Sequence, residues 1–522
     1  MTARTLARAG MVVAAAFFLS RVLGWVRIIV ITNLFHGGIE LDAYFAAFRL
    51  PDAIFQLVAA GALSSAMIPV LSGLFTHGEE VRAWRVVSTV LNIMLLALAG
   101  MAAVVAIFAP QIVPIFTPGF DAVGTELTVR LTRIMLLSPV ILALGAVASS
   151  VLNARGRFGA AAIAPSLYNL SIIGGAVLLG PALGIEALAI GVVVGALLHL
   201  GIQLRPLVQE RFQLSFDIDL ADSNARQILT LMAPRALGLG ANQITFIVAT
   251  TLATGVGLGA VTAYNVAWTV MTIPLGVIGF PLGVVLLPSL SRAVAAGSVR
   301  EFGELIVRSA RLVLWLMLFI TAIGIVLRRQ SVTLLFDYGL DPDSINLTSD
   351  TLSFLLLGLG GHSLVIIFAR AFYSGHDTRT PVITALFDML VCVVIGVATV
   401  GSLGLSGIAL GLAVGAWAEA TALGVLLWRR TPGARLESIL QPLLVFTFGA
   451  VLAAIAATIV VRLTEPVIGL QPGKFALLLQ VLAATAAGAA VYALYSRALR
   501  IPELRQSIDL FRSMLRRGGR AE

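Results

Sequence analysis

Met11-Val-Val-Ala-Ala-Ala-Phe-Phe-Leu-Ser20-Arg21-Val-Leu-Gly-Trp-Val-Arg27-Ile-Ile-Val-Ile31 decides how the rest of the chain is read. Apolar residues run on both sides of Arg21 to a length that can cross a bilayer, for which about 20 residues suffice. Arg4, Arg8 and the Ala14–Ala16 run give its start the look of a secretory leader. Hydrophobicity continues through Ile31, too far for a cleaved leader, so the segment is read as a retained helix. The whole chain agrees with this reading. Its 522 residues are 59% hydrophobic and 12% charged, with a mean hydropathy of +1.00. Soluble domains carry about 25% charged residues. Half that density cannot cover a globule with water-compatible surface, which argues against a soluble enzyme or a nucleic-acid binder despite the 35 Lys and Arg against 26 Asp and Glu. The one cysteine, Cys392, sits in an apolar run and excludes an internal disulfide or a cysteine metal cluster.

Fourteen segments are apolar enough to span, near 9–34, 43–75, 85–109, 127–152, 159–181, 184–204, 227–254, 260–290, 306–327, 350–373, 381–401, 405–428, 440–461 and 475–496. With both termini in the cytoplasm, 23 of the 35 basic residues fall on inward connections and tails. Four fall on outward connections and eight within spans or at their ends. An even count with both termini inside follows from the positive-inside rule.

The two halves repeat. Met67-Ile-Pro-Val-Leu-Ser returns as Leu286-Leu-Pro-Ser-Leu-Ser, an offset of 219. Pro114-Ile-Phe-Thr-Pro-Gly119 returns as Leu334-Leu-Phe-Asp-Tyr-Gly339, and Leu152-Asn-Ala-Arg-Gly-Arg as Phe372-Tyr-Ser-Gly-His-Asp, both at 220. The expected architecture is an all-α polytopic membrane protein of two six-helix lobes and two extra helices. Lobe 1–204, linker 205–225, lobe 226–430, a pair within 431–496 and a basic tail 497–522 make up the chain. Parallel repeats of this kind belong to transporters, which bind substrate between the halves. The tail repeats Ile501, Leu504, Ile508, Phe511 and Leu515 at helical spacing beside seven Arg, the pattern of an amphipathic helix on an anionic leaflet.

Charge inside the spans points to the substrate. Arg21, Arg27 and Arg49 lie at hydrocarbon depth, where an Arg costs at least about 2.5 kcal/mol. Guanidinium forks suit phosphate oxygens. These three are expected to hold a pyrophosphate in a wet cavity, with Asp42 orienting or releasing one of them; the competing reading is an internal ion-pair network. Ser20, Asp52 and Arg235 (which mirrors Arg21) are further cavity candidates. Asn242 and Gln243 read as a polar bridge between helices, and span eight carries Asn265, Thr269 and Thr272. Asp388 and Glu419 are intramembrane acids that could couple transport to Na⁺ or H⁺, or simply bond neighbouring helices. His199 and His362 read as packing residues. There is no Walker A, Rossmann glycine pattern or nucleophile elbow, so the chain is expected to make no covalent bonds.

Ser20-Arg-Val-Leu-Gly-Trp-Val-Arg27, Asp42-Ala-Tyr-Phe-Ala-Ala-Phe-Arg-Leu-Pro-Asp52 and Ile68-Pro-Val-Leu71 together resemble the opening of the MurJ/MviN family. Ala164-Pro-Ser-Leu-Tyr-Asn169, Ile273-Pro-Leu-Gly276 and Asp377-Thr-Arg-Thr-Pro381 extend the likeness through span twelve. The resemblance implies a bacterial inner-membrane flippase of lipid II, an undecaprenyl-pyrophosphate-linked disaccharide-pentapeptide. It further implies alternating access through a cationic cavity set by Arg21, Arg27, Asp42 and Arg49, a lipid-tail groove at spans 13–14, and partners limited to this lipid and the membrane, the protein acting as a monomer. Some relatives carry charge where this chain has Ile28, Gln56, Ala60, Thr269 and Thr272, so a less charged cavity is expected. A polysaccharide-lipid flippase, a cation-coupled drug antiporter of the same superfamily and a non-transporting envelope scaffold are the alternatives.

Overall fold

A computed structural model describes residues 3–58, 62–430, 437–469, 473–507 and 509, and among these every regular element is helical. That follows from the composition, because hydrocarbon cannot satisfy a backbone N–H or C=O and a helix satisfies its own. Among the described residues, eleven helices are long and apolar enough to cross a membrane, twelve if one bent pair counts as a single span. The chain is therefore a multi-pass membrane protein. The second and seventh expected segments are also helical but lie outside those twelve. The second is described as helices Ile39–Val58 and Ala62–Thr76, the first of which carries Arg49, Pro51 and Asp52.

The chain forms two compact units, Met1–Val266 with Tyr338–Ser344, and Ala267–Asp337 with Ile345–Glu522. The first holds α1 (Ala3–Phe35), α2 (Ile39–Val58), α3 (Ala62–Thr76), α4 (Glu80–Phe116), α5 (Ala122–Met135), α6 (Leu137–Ala154), α7 (Phe158–Gly174), α8 (Gly180–Leu183), α9 (Glu186–Gln209), α10 (Ser223–Thr254) and the first turns of α11 (Ala260–Pro274). The helix expected to open the second lobe, α10, thus packs in this unit, against α2, α3 and α4. The fourth span is split at Leu136, where Pro139 cannot donate to the preceding turn and Ser138 Oγ donates to the Met135 carbonyl at 2.8 Å. The core of α3, α4, α6 and α10 gathers on Leu71, Trp84, Met94 and Leu98, all buried. Trp84 meets the Phe75 and Phe212 rings at 5.4 and 5.3 Å.

The second unit holds the rest of α11, then α12 (Phe280–Ala295), α13 (Val299–Val326), α14 (Arg328–Phe336), α15 (Pro342–Leu357), α16 (Leu359–Ser374), α17 (Arg379–Leu403), α18 (Leu405–Arg430), α19 (Glu437–Ile468) and α20 (Lys474–Ala498). The α15–α16 pair bends by 42°. At that break the Leu357 carbonyl accepts from Trp417 Nε1 at 2.8 Å, as a helix broken in hydrocarbon requires. Trp315, Phe319 and Tyr492 stack between α13 and α20. The start of the expected basic tail is not free: buried Glu503 pairs with Arg311 at 2.6 Å. Ile508, Phe511 and Leu515 of the amphipathic pattern lie outside the described residues.

Asp377 begins α17. Its carboxylate accepts from Arg379 N and Thr380 N, both at 3.0 Å, from Thr380 Oγ1 at 2.6 Å and from Arg430 at 2.5 Å. Partial burial pulls its pKa upward, but the bonds from Thr380, Arg430 and Arg379 outweigh that and hold it down at about 2. A depressed carboxyl stabilises fully above its unfolded value, about 3.9, and loses that contribution as pH falls through 2. Between pH 5 and pH 2 the wild type is expected to lose about 1 kcal/mol more unfolding free energy than Asp377→Asn, solvent screening at this open site reducing the full linkage value. Denaturation in detergent at the two pH values measures this, and equal losses would remove the assignment.

Candidate functional site

Asp42 lies in the first turn of α2 and is completely buried. Its Oδ2 accepts from Gly259 N at 2.8 Å. Its Oδ1 accepts from Thr262 N at 2.7 Å and Thr262 Oγ1 at 2.6 Å. A helix start presents N–H groups with no partner in their own helix and a positive dipole end, and Asp42 caps α11 in this way. In this structure its three hydrogen bonds go to the α11 N-terminus and not to the arginine it was expected to orient.

Asp42 and Thr262 are 220 residues apart, the offset of the sequence repeat, so equivalent places in the two halves meet each other. Two further contacts follow the same rule. A Cβ on Gly119 would lie 1.9 Å from the Thr254 carbonyl oxygen, and a Cβ on Gly339 would lie 1.9 Å from that of Thr32. Each repeat's glycine presses on the end of the first helix of the other repeat. Gly37 N also donates to the Gly339 carbonyl at 2.8 Å. This reciprocal set closes one end of the first unit, and only a residue without a side chain permits the backbones to meet. Gly119→Ala and Gly339→Ala are each expected to cost about 3 kcal/mol or more, at the top of the overpacking range, with normal insertion into the membrane. Thermal unfolding in detergent tests this, and unchanged midpoints would sink it.

Seven residues beyond Asp42, Arg49 is half-buried. Its Nε donates to Thr250 Oγ1 at 3.0 Å and its Nη2 to Asn265 Oδ1 at 2.7 Å, while the guanidinium lies 5.2 Å from the Phe246 ring centre. Among the described residues it has no carboxylate within 4 Å. Asp52, one turn on, accepts from Gln243 Nε2 at 3.2 Å, so Gln243 is the polar bridge read from the sequence. Arg27 lies in charge–charge range of Asp52 and of Tyr44 and Tyr168, and its Nε is buried without a hydrogen-bond partner. Arg27, Arg49 and Asp52 therefore form one cluster. Arg21 lies on an exposed side of α1, one turn from exposed Phe17 and Phe18. Ser20 enters through its carbonyl, which accepts from Asn169 Nδ2 at 3.2 Å. Arg235 falls in α10, in a stretch whose side chains lie outside the described residues. Thr250 and Phe246 were not singled out from sequence; their only signal is the i, i+4 spacing that puts both on one face of α10.

In the second unit, Asp388 Oδ1 accepts from Cys392 Sγ at 3.3 Å, and Glu419 Oε1 from Thr384 Oγ1 at 3.4 Å. A Cβ on Gly415 would lie 2.5 Å from Asp388 Oδ1, so α17 and α18 touch there. Glu419 is one turn along α18, near enough to interact with Asp388. The two acids, read separately from sequence, are neighbours across one helix contact. His199 is a packing residue against Gly145, and His362 packs edge-on against Trp268 at 5.8 Å.

Residues 31–480 match the family model described as lipid II flippase MurJ. A lipid II flippase MurJ of Burkholderia cenocepacia is 30% identical over 78% of this chain and 81% of its own length. A probable lipid II flippase MurJ of Rhizobium meliloti is 31% identical over 78% of each. Among solved structures, a lipid II flippase MurJ in an inward closed conformation matches with a TM-score of 0.78 at 21% identity, covering 94% of this chain and 99% of that one. An inward-facing multidrug resistance MATE family transporter of the MOP superfamily matches at 0.67 and 17%, covering 80% and 95%. With a family match across most of its length and the family fold around a buried Asp42 and a cationic α1–α2 cluster, the chain belongs to the lipid II flippase MurJ family.

Proposed function

We propose that this protein flips lipid II from the inner to the outer leaflet of the bacterial cytoplasmic membrane by alternating access, moving it without covalent chemistry. The observation that carries this reading is the Arg27–Arg49 cluster. One guanidinium there spends two donors on neutral oxygens and the other keeps a buried Nε without a partner. A pyrophosphate offers such donors charge-assisted bonds that hydroxyl and amide oxygens do not. Fourteen spans, with α2–α3 as the second and α10 as the seventh, lobes 1–204 and 226–430, a lipid-tail groove within 431–496 and both termini in the cytoplasm complete the proposal. In it Arg21 joins the cavity in another state of the cycle, and a monomer suffices. The Asp42–Thr262 cap and the two glycine contacts are then the closed outer gate, which must part for release.

The test is the accessibility of lipid II on the outer leaflet of cells depleted of their own flippase. Arg27→Ala is expected to lower exposure at least about tenfold, the worth of one charge-assisted bond; wild-type exposure would overturn the reading. The same assay without a membrane potential examines coupling. If Asp388 and Glu419 carry H⁺ or Na⁺, Asp388→Asn and Glu419→Gln should each remove the dependence on the ion gradient while leaving binding intact.

A further inference from the structure

The connection between α9 and α10 is tied down on one side only. Ser215 N donates to Ser88 Oγ at 3.0 Å and Asp219 N to Thr89 Oγ1 at 3.1 Å. Asn92 Nδ2 donates to the Ser215 and Asp217 carbonyls at 2.9 and 3.3 Å, and Phe212 closes one end against Trp84. Odd-numbered residues of the segment thus make the bonds to α4. The even-numbered ones from 214 to 220 are apolar and exposed: Leu214 is 48% exposed, Phe216 87%, Ile218 44% and Leu220 52%. An alternation of this kind gives a chain one polar and one apolar edge.

Its carboxylates bond mostly within the segment itself, Asp217 from an exposed position. Asp217 accepts from Ser215 Oγ, Asp219 from the backbone N–H groups of Ala221 and Asp222, and Asp222 pairs with Arg82. Four large apolar side chains side by side in water would form an unfavourable patch, so their depth decides what covers them. Asn92, which holds the segment, is about 18 Å along α4 from its start at the rise of a helix. One turn further Leu96 is exposed, followed by Val104 and Ile107, which is where the apolar outer surface of α4 begins. Val208 near the end of α9 and Leu231 near the start of α10 are exposed at the flanks. The apolar edge is therefore continuous with the surface that faces lipid.

We infer that residues 212–222 form an interfacial strap that inserts Leu214, Phe216, Ile218 and Leu220 into the head-group and acyl boundary of the bilayer, on the side where α9 ends. The occupant of this edge is lipid hydrocarbon rather than a protein partner, and insertion is apolar rather than driven by anionic head groups. The inference is independent of which lipid is transported.

The test uses the full chain with Cys392→Ala and a single nitroxide at Phe216→Cys or Ile218→Cys, in nanodiscs of phosphatidylethanolamine and phosphatidylglycerol. Power saturation with oxygen and with a water-soluble nickel chelate should place both labels about 5–10 Å below the head groups, with Arg300→Cys as the aqueous reference. The depth should be unchanged when phosphatidylglycerol is omitted. Labels open to the nickel chelate would overturn the inference. So would labels shielded from both reagents, as under a protein partner, or a depth that needs anionic lipid.

Discussion

Arg49→Ala is expected to reduce outer-leaflet exposure of lipid II by about 10²–10³-fold while the protein still folds and inserts. Two charge-assisted bonds to a pyrophosphate are worth about 3–4 kcal/mol together, and at about 1.4 kcal/mol per decade that range sets the factor. Folding should suffer less. Truncation leaves Thr250 Oγ1 and Asn265 Oδ1 without the arginine donors they have here, a loss of about 1–2 kcal/mol for neutral acceptors. It also removes a cation from a half-buried place where holding one is costly. Arg49→Lys separates the two roles. It keeps the charge but cannot reach both oxygens and a phosphate with one ammonium, so activity about tenfold below wild type is expected, well above that of Arg49→Ala. Equal activity in Ala, Lys and wild type would show that this guanidinium does not touch the substrate.

Asp42→Asn should open the closed end of the first unit, although it changes one atom. The carboxylate accepts three hydrogen bonds on its two oxygens. In the amide one of these positions becomes an NH₂, which must face either Gly259 N–H or the Thr262 donors. Either arrangement sets donor against donor in a fully buried place, with an expected loss of about 2–4 kcal/mol. Asp42→Ala removes all three bonds and should do at least as much harm. The measurement that reports the gate itself is thiol reactivity. Ser344 lies beside Gly37 and Gly259, and a Ser344→Cys label site in a Cys392→Ala background should react slowly with an impermeant maleimide. Adding Asp42→Asn should raise that rate roughly in proportion to the lost stability, about tenfold per 1.4 kcal/mol. An unchanged rate would mean the cap does not hold this end shut.

Much of this was readable in the chain. Hydrophobic runs with arginines at their inward ends announced a helical membrane protein, because span length and charge placement are local properties of sequence. The repeat was visible too, through Gly119 and Gly339 at an offset of 220. What could not be read was what those glycines touch. A tight turn and an interhelical contact look alike in sequence, and the structure shows the second.

The same division runs through the site. Arg27 and Arg49 stand out because charge in hydrocarbon is costly wherever it sits, so sequence alone marks them as residues with a purpose. Which partners they keep depends on which faces of α2, α10 and α11 meet. That is settled by packing between segments some 200 residues apart, which put Thr250 and Asn265 on Arg49 and gave Asp42 a helix end to cap instead of an arginine. Asp388 and Glu419 show it again: two separate acids along the chain become neighbours only because Gly415 lets α17 and α18 touch. Sequence fixes which groups must be satisfied inside the membrane, since solvation is paid residue by residue; tertiary structure chooses what satisfies them, since a hydrogen bond needs two atoms within about 3 Å.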